Sequence, residues 1–193
     1  ISQPNFMGSG KSASVSVVRS QLSNQYSLSY DNPFYKNWGV SRGVSLYYNT
    51  VKASDTLNMV AYNMDSYGGS LNYSLPVSEY ASLGLGVGFA HYNILNVSSK
   101  VKSIDDFVDS YGKVFNEPTL SLSLTANHQN RYWFPTEGYS VSLSTEWGLP
   151  VFKKGIGYYT AAWTSQWFLP LSHGFVFHLH ADASYGDGLG ATN

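Results

Sequence analysis

His178, His180 and Asp182 recur at every second position. On a β-strand that spacing puts two imidazoles and a carboxylate on one face, a combination able to hold a transition metal. A strand with one wet side collects polar residues on that side anyway, so no metal site is assigned. Serine is abundant, but no Gly-x-Ser-x-Gly elbow accompanies a His/Asp pair, and no glycine-rich phosphate loop opens a helix. Tyr185-Gly186-Asp187-Gly188-Leu189-Gly190 lacks the spaced carboxylates of a calcium loop. Cysteine is absent, which removes thiolate, disulfide and redox chemistry. Glu146, Arg19 and Asp182 are expected to pair with one another on a shared polar face. No catalytic, cofactor-binding or metal-ligating residue is assigned, and no enzyme is expected.

The elements that position these residues follow from composition and periodicity. Of 193 residues, only 12% are charged, against about 25% in an ordinary soluble domain. Aromatics reach 16%, with Tyr 16, Phe 10 and Trp 5, so a disordered chain is excluded. A net charge of −1 argues against a nucleic-acid binder, which needs a basic excess. No run of roughly 18 apolar residues exists to form a membrane helix, and Ile1-Ser2-Gln3-Pro4-Asn5 shows no basic region leading into an apolar core.

Residues two apart separate cleanly by polarity, the mark of strands with one apolar and one polar face. Leu120, Leu122, Leu124 and Ala126 oppose Ser121, Ser123 and Thr125; Tyr139, Val141, Leu143, Trp147 and Leu149 oppose Ser140, Ser142, Ser144 and Glu146. Leu83, Leu85, Val87 and Phe89 oppose Gly84, Gly86, Gly88 and Ala90, and Phe175, Phe177, Leu179 and Ala181 oppose Val176, His178, His180 and Asp182. Further strands are predicted around Ala13 to Arg19, Tyr26 to Asp31, Val44 to Val51, Tyr67 to Leu75 and Tyr159 to Leu169, about nine in all, each near the ten residues a tilted membrane strand needs. A soluble sandwich would collect Lys and Glu on its wet face. This polar face is small and neutral, as a lumen is, while the apolar faces carry aromatics toward their ends as a lipid-facing band does.

Short turns are expected at 5–10, 32–39, 76–80, 134–138 and 169–174, alternating with longer or more polar links at Ser20 to Gln25, Lys52 to Asp65, Asn96 to Pro118 and Val151 to Tyr158. Outer-membrane barrels alternate short periplasmic turns with long outer loops in this way. Phe6, Phe34, Tyr35, Trp38, Trp133, Phe134, Trp167 and Phe168 cluster on the short-turn side, where one interfacial belt belongs. Ser103 to Gly112 breaks period two, with Ile104, Phe107, Val108 and Tyr111 at helical spacing, and predicts a short amphipathic helix in the longest loop. Since single-chain bacterial barrels have an even strand number, about nine strands are expected to be part of a larger barrel, with Ile1-Ser2-Gln3 the tail of a preceding strand.

The ordered motifs Gln3-Pro4-Asn5-Phe6-Met7-Gly8-Ser9-Gly10, Asp31-Asn32-Pro33-Phe34-Tyr35, Gly39-Val40-Ser41-Arg42-Gly43, Ser66-Tyr67-Gly68-Gly69, Pro76-Val77-Ser78-Glu79-Tyr80, Asn130-Arg131-Tyr132-Trp133-Phe134-Pro135-Thr136-Glu137-Gly138 and Tyr185-Gly186-Asp187-Gly188-Leu189-Gly190 resemble the barrel domain of the BamA family of outer-membrane protein assembly factors. The resemblance runs along essentially the whole chain. It implies an all-β fold, an antiparallel transmembrane β-barrel represented in part, about nine of sixteen strands, with residues 1–193 all inside the barrel domain. The family's Val-Arg-Gly-Phe loop motif, its gate strands and its periplasmic domains are expected outside these residues. The location implied is the bacterial outer membrane. The partners implied are outer-membrane lipids, client β-barrel proteins and accessory lipoproteins, with no cofactor and no nucleic acid. A translocation pore for a secreted partner and a passive porin are the alternatives.

Overall fold

The computed structural model describes residues 1–52, 62–97, 106, 108–109, 112–152 and 155–189. They form one ten-stranded antiparallel sheet in which every strand pairs with its neighbours in chain order: β1 (Ser2–Gln3), β2 (Ser12–Arg19), β3 (Ser23–Asn32), β4 (Ser41–Val51), β5 (Tyr62–Pro76), β6 (Ala81–Val97), β7 (Val114–Gln129), β8 (Gly138–Gly148), β9 (Tyr158–Pro170) and β10 (Val176–Gly188). The nine segments read from alternation are β2 to β10, and the expected tail is the two-residue β1. The sheet does not close, since no pairing joins β1 to β10.

The strands run longer than their alternation. β5, β6 and β7 have 15, 17 and 16 residues, and the excess lies at the long-loop end, where apolar residues such as Ile94, Leu95, Val114 and Phe115 fall on both faces and period two fades. The link expected from Ser20 to Gln25 is corrected to a tight turn at 20–22. There Ser20 Oγ accepts the N–H groups of Leu22 and Ser23 at 3.3 and 2.9 Å, a serine side chain standing in for a backbone turn bond. In the loop expected to be helical, Asp106, Val108 and Asp109 are helical. Gly112, at φ 85°, donates its N–H to Val108 O at 2.8 Å, a left-handed glycine stop. Ser103, Ile104, Phe107 and Tyr111 lie outside the described residues.

Register turns the alternation into rows. Ser14, Ser29, Ser45, Ser70, Gly88, Thr119 and Gly148 stand side by side across seven strands. One residue along, Val15, Leu28, Leu46, Gly69, Phe89 and Pro118 form the neighbouring row on the opposite face. Hydroxyls in the polar rows bond laterally, Ser14 to Ser29 at 2.6 Å, Ser45 to Ser70 at 2.8 Å and Ser82 to Thr125 at 2.8 Å. Proline is tolerated inside β7 because Pro118 O accepts from Leu149 N beyond the end of β8. A strand residue's N–H and C=O point to the same side, so the missing donor faces a partner strand that has already ended.

Among the described residues only Val40, Ala90 and Ile94 are buried hydrophobics. The leucines, valines and tryptophans of the apolar rows remain exposed on the sheet, so this sheet has no apolar core of its own.

Gly138 opens β8 at φ +107°, and a Cβ there would lie 1.9 Å from His128 O. Gly138→Ala should therefore destabilise the folded barrel by at least about 2 kcal/mol, seen as a lower urea midpoint in lipid vesicles, whereas Gly10→Ala, with open space around its Cβ position, should cost less.

Candidate functional site

The two faces of the wall are the functional surfaces. Side chains of Ser29, Ser45, Asn72, Ser74, Ser82, Ser121, Ser123 and Thr125, contributed by five strands, converge on one cavity of about 350 Å³. Convergence of side chains from separate strands defines the concave side, so the serine face is the lumen and the leucine face is the outside. Close approach on the concave side explains the glycines of β6: a Cβ on Gly84, Gly86 or Gly88 would meet Ser123 Oγ, Ser121 Oγ or Thr119 Oγ1 at 2.2, 2.3 or 2.5 Å.

The outward face is bounded by aromatics at two levels. At the short-turn end a continuous ring ladder runs from Tyr80 to His128 (4.2 Å between centroids), Tyr139 (5.9 Å) and Trp167 (5.4 Å). Toward the long-loop end stand the pairs Tyr26 with Tyr48 and Tyr159 with Tyr185, at 6.1 and 5.9 Å, and Trp147 beside Tyr159 in register. On β8 the two levels are Tyr139 and Trp147, about 27 Å of strand, which a tilt of 35–45° reduces to about 20 Å of height. Leu143 lies midway, flanked in register by Leu124 and Trp163. Eight-residue spacing of aromatics on one apolar face was visible in the sequence; that the rings on neighbouring strands stack was not.

Of the aromatics expected to form the lower belt, Trp167 belongs to it and Phe34, Trp38, Trp133 and Phe134 are highly exposed on short turns. Phe168 does not. It is of lumenal parity, opposite His178 in register, and its ring stacks on that imidazole at 4.4 Å and 5°.

The ionisable residues expected to pair together are kept apart. Arg19 is of outward parity at the long-loop end, its Nε donating to Tyr26 Oη at 3.0 Å. Asp182 pairs with His180, Nε2 to Oδ2 at 2.5 Å. Glu146 accepts a hydrogen bond from Tyr158 Oη at 2.7 Å. β10 does present His178, His180 and Asp182 along one face, but His178 is taken up by Phe168, so the three do not converge on a point.

Sequence reading missed the principal lumenal network. Tyr47, Tyr92, Glu117, Glu146 and Tyr158 line a second cavity of about 190 Å³. Tyr158 Oη donates its one proton to Glu146 at 2.7 Å, and Tyr92 stands between Tyr47 and Glu117 within hydrogen-bonding reach of both. These residues come from β4, β6, β7, β8 and β9, so phenols and carboxylates gather from five strands in a region where serine and glycine otherwise contribute little side-chain contact. Gly68 and Gly88 make the room, a Cβ on Gly68 falling 2.8 Å from Tyr47 Oη. Their shared lumenal parity was legible, but proximity across so many strands depends on register.

A lipid-exposed band between aromatic levels, a small neutral lumen and alternating turn lengths define the wall of an outer-membrane β-barrel. Residues 5–193 match the Omp85 superfamily domain, and the chain belongs to that superfamily. It is 29% identical over 203 aligned residues to the outer membrane protein assembly factor BamA of Neisseria meningitidis serogroup B, covering 100% of this chain and 25% of that protein. Its fold superposes on the crystal structure of BamA from Haemophilus ducreyi lacking POTRA domains 1–3 with a TM-score of 0.79 and 26% identity, covering 98% of this chain and 38% of that one. The chain thus spans well under half the length of either relative. It is a protein of the bacterial outer membrane, and its short turns are accordingly periplasmic and its long loops extracellular.

Two outcomes follow from the two faces. Leu143→Arg should destabilise the barrel by roughly 2–4 kcal/mol, the cost of a cation at the bilayer midplane, while Ser142→Arg, on the lumenal face of the same strand, should cost far less in the same reversible urea titration. Tyr158→Phe removes the phenol donor to Glu146 and should cost about 1–3 kcal/mol, with Tyr185→Phe as the outward-facing control.

Proposed function

We propose that this wall belongs to an insertase that folds β-barrel proteins into the outer membrane, acting without covalent chemistry and without a bound nucleotide. The observation that carries the reading is agreement with BamA along the whole chain in both sequence and fold. In such a machine the client strand is templated by edge pairing, a form of β-augmentation. The segment described here contributes the continuous part of the wall, whose nine long strands are paired without interruption. Partners under this reading are unfolded barrel clients, accessory lipoproteins on the periplasmic side and outer-membrane lipid.

A passive porin would need charged residues ringing a constriction, and the described lumenal rows are chiefly serine, glycine and threonine. The full-length protein in liposomes, given an unfolded barrel client and no nucleotide, should accelerate appearance of the client's heat-resistant folded band over protein-free liposomes. No acceleration, together with a steady open conductance in planar bilayers, would remove the insertase reading and favour the pore.

A further inference from the structure

In the motif Gly39-Val40-Ser41-Arg42-Gly43, Ser41 and Gly43 line the lumenal cavity, but Arg42 belongs neither to the lumen nor to the ladder. Arg42 is of outward parity, opposite Tyr73 on β5 and one strand step below Val44. Its guanidinium sits over the Tyr35 ring, Cζ 4.1 Å from the centroid, and Lys36 Nζ lies 5.2 Å from the same centroid. Tyr73 packs on Tyr35 at 5.8 Å, so two rings and two cations cluster at the short-turn end. Neither cation has an ion-pair partner among the described residues. Two positive charges sharing one ring without a carboxylate suit an anion from outside the chain.

What lies above them on the same face specifies the anion. Along β4 the outward residues continue as Val44 and Leu46, and along β5 as Leu71 and Gly69. With Val87 and Phe89 of β6 they enclose a shallow groove of about 310 Å³ that begins one strand step from Arg42. The groove exists because Gly69 has no side chain between Leu46 and Phe89; a Cβ there would lie 2.7 Å from Leu46 Cδ2. We propose that this face binds an anionic phospholipid of the periplasmic leaflet, its phosphate on Arg42 and Lys36 and one acyl chain in the Gly69 groove. The cations stand at headgroup level and the groove runs inward from them by about 13 Å of strand, so one molecule satisfies both. The placement rests on the outward orientation of β4 and β5 and is independent of the insertase reading.

The full-length protein is purified into detergent, incubated with dioleoyl phosphatidylglycerol or dioleoyl phosphatidylethanolamine, and lipid retention is read by native mass spectrometry. Phosphatidylglycerol should be retained in preference to phosphatidylethanolamine, and R42Q with K36Q together should reduce its retention roughly twenty-five-fold, about fivefold per cation. Lys36 is exposed on a turn outside the strands, so K36Q alone, expected to lose about fivefold, carries the test if the double variant does not assemble. Soluble glycerol phosphate at the same concentration should not displace the lipid, because it lacks the chain that fills the groove. Equal retention of the two lipids, unchanged retention in K36Q, or full displacement by glycerol phosphate would each overturn the proposal.

Discussion

Hydrocarbon offers no hydrogen-bond partner to a peptide group, so every backbone N–H and C=O that crosses it must be paired by the protein itself, each failure costing several kcal/mol. The described chain meets that demand by strict neighbour pairing from β1 to β10 with no crossover. Departures from the ladder are kept to places where the demand lapses. The register shift between Asn63 and Met64 falls at the extracellular end of β5, and Pro118 stands opposite Leu149, one residue past the end of β8, where the Leu149 carbonyl accepts from Val151 instead.

Once pairing is obligatory, parity decides everything lateral to it. A one-residue slip would exchange the leucine and serine faces of a whole strand, placing hydroxyls in lipid and leucines in the lumen. The outward rows therefore need only be apolar between their aromatic levels. The lumenal rows face a different restriction, because curvature crowds their Cβ atoms together. That is why β6 alternates large outward residues with glycine, and why its neighbours answer each glycine with Ser123, Ser121 or Thr119.

A wall of small residues has little side-chain packing to stiffen it, and polar interactions take over that task at chosen points. Tyr158 donates to Glu146 on the adjacent strand, and Tyr92, beside Tyr47 and Glu117, carries the polar cluster toward β4. On the outside, the Tyr35 platform gathers Arg42 and Lys36. Inside, Glu146 is met by a phenol and Asp182 by an imidazole of the chain itself; outside, at the periplasmic rim, the chain leaves positive charge unanswered.

Strand number, face assignment, most turn lengths and the family motifs were legible in the residues, because period two and turn chemistry are local properties. Leu120, Leu122 and Leu124 declare their face without help from any other strand. Strand ends were not legible, since polar and apolar residues mix on both faces in the upper parts of β5 to β7, where Ile94 is buried; nor was the tight turn at Ser20, whose polar sequence suits a longer link equally well. The gathering of Glu117, Glu146, Tyr92 and Tyr158 in one cavity, the stacking of Phe168 on His178 that disperses the histidine row, and the meeting of Arg42, Lys36 and Tyr35 were decided by tertiary structure. Each depends on which residues of different strands stand opposite one another or on how a turn folds back, and a single strand's pattern carries no information about its neighbour's register.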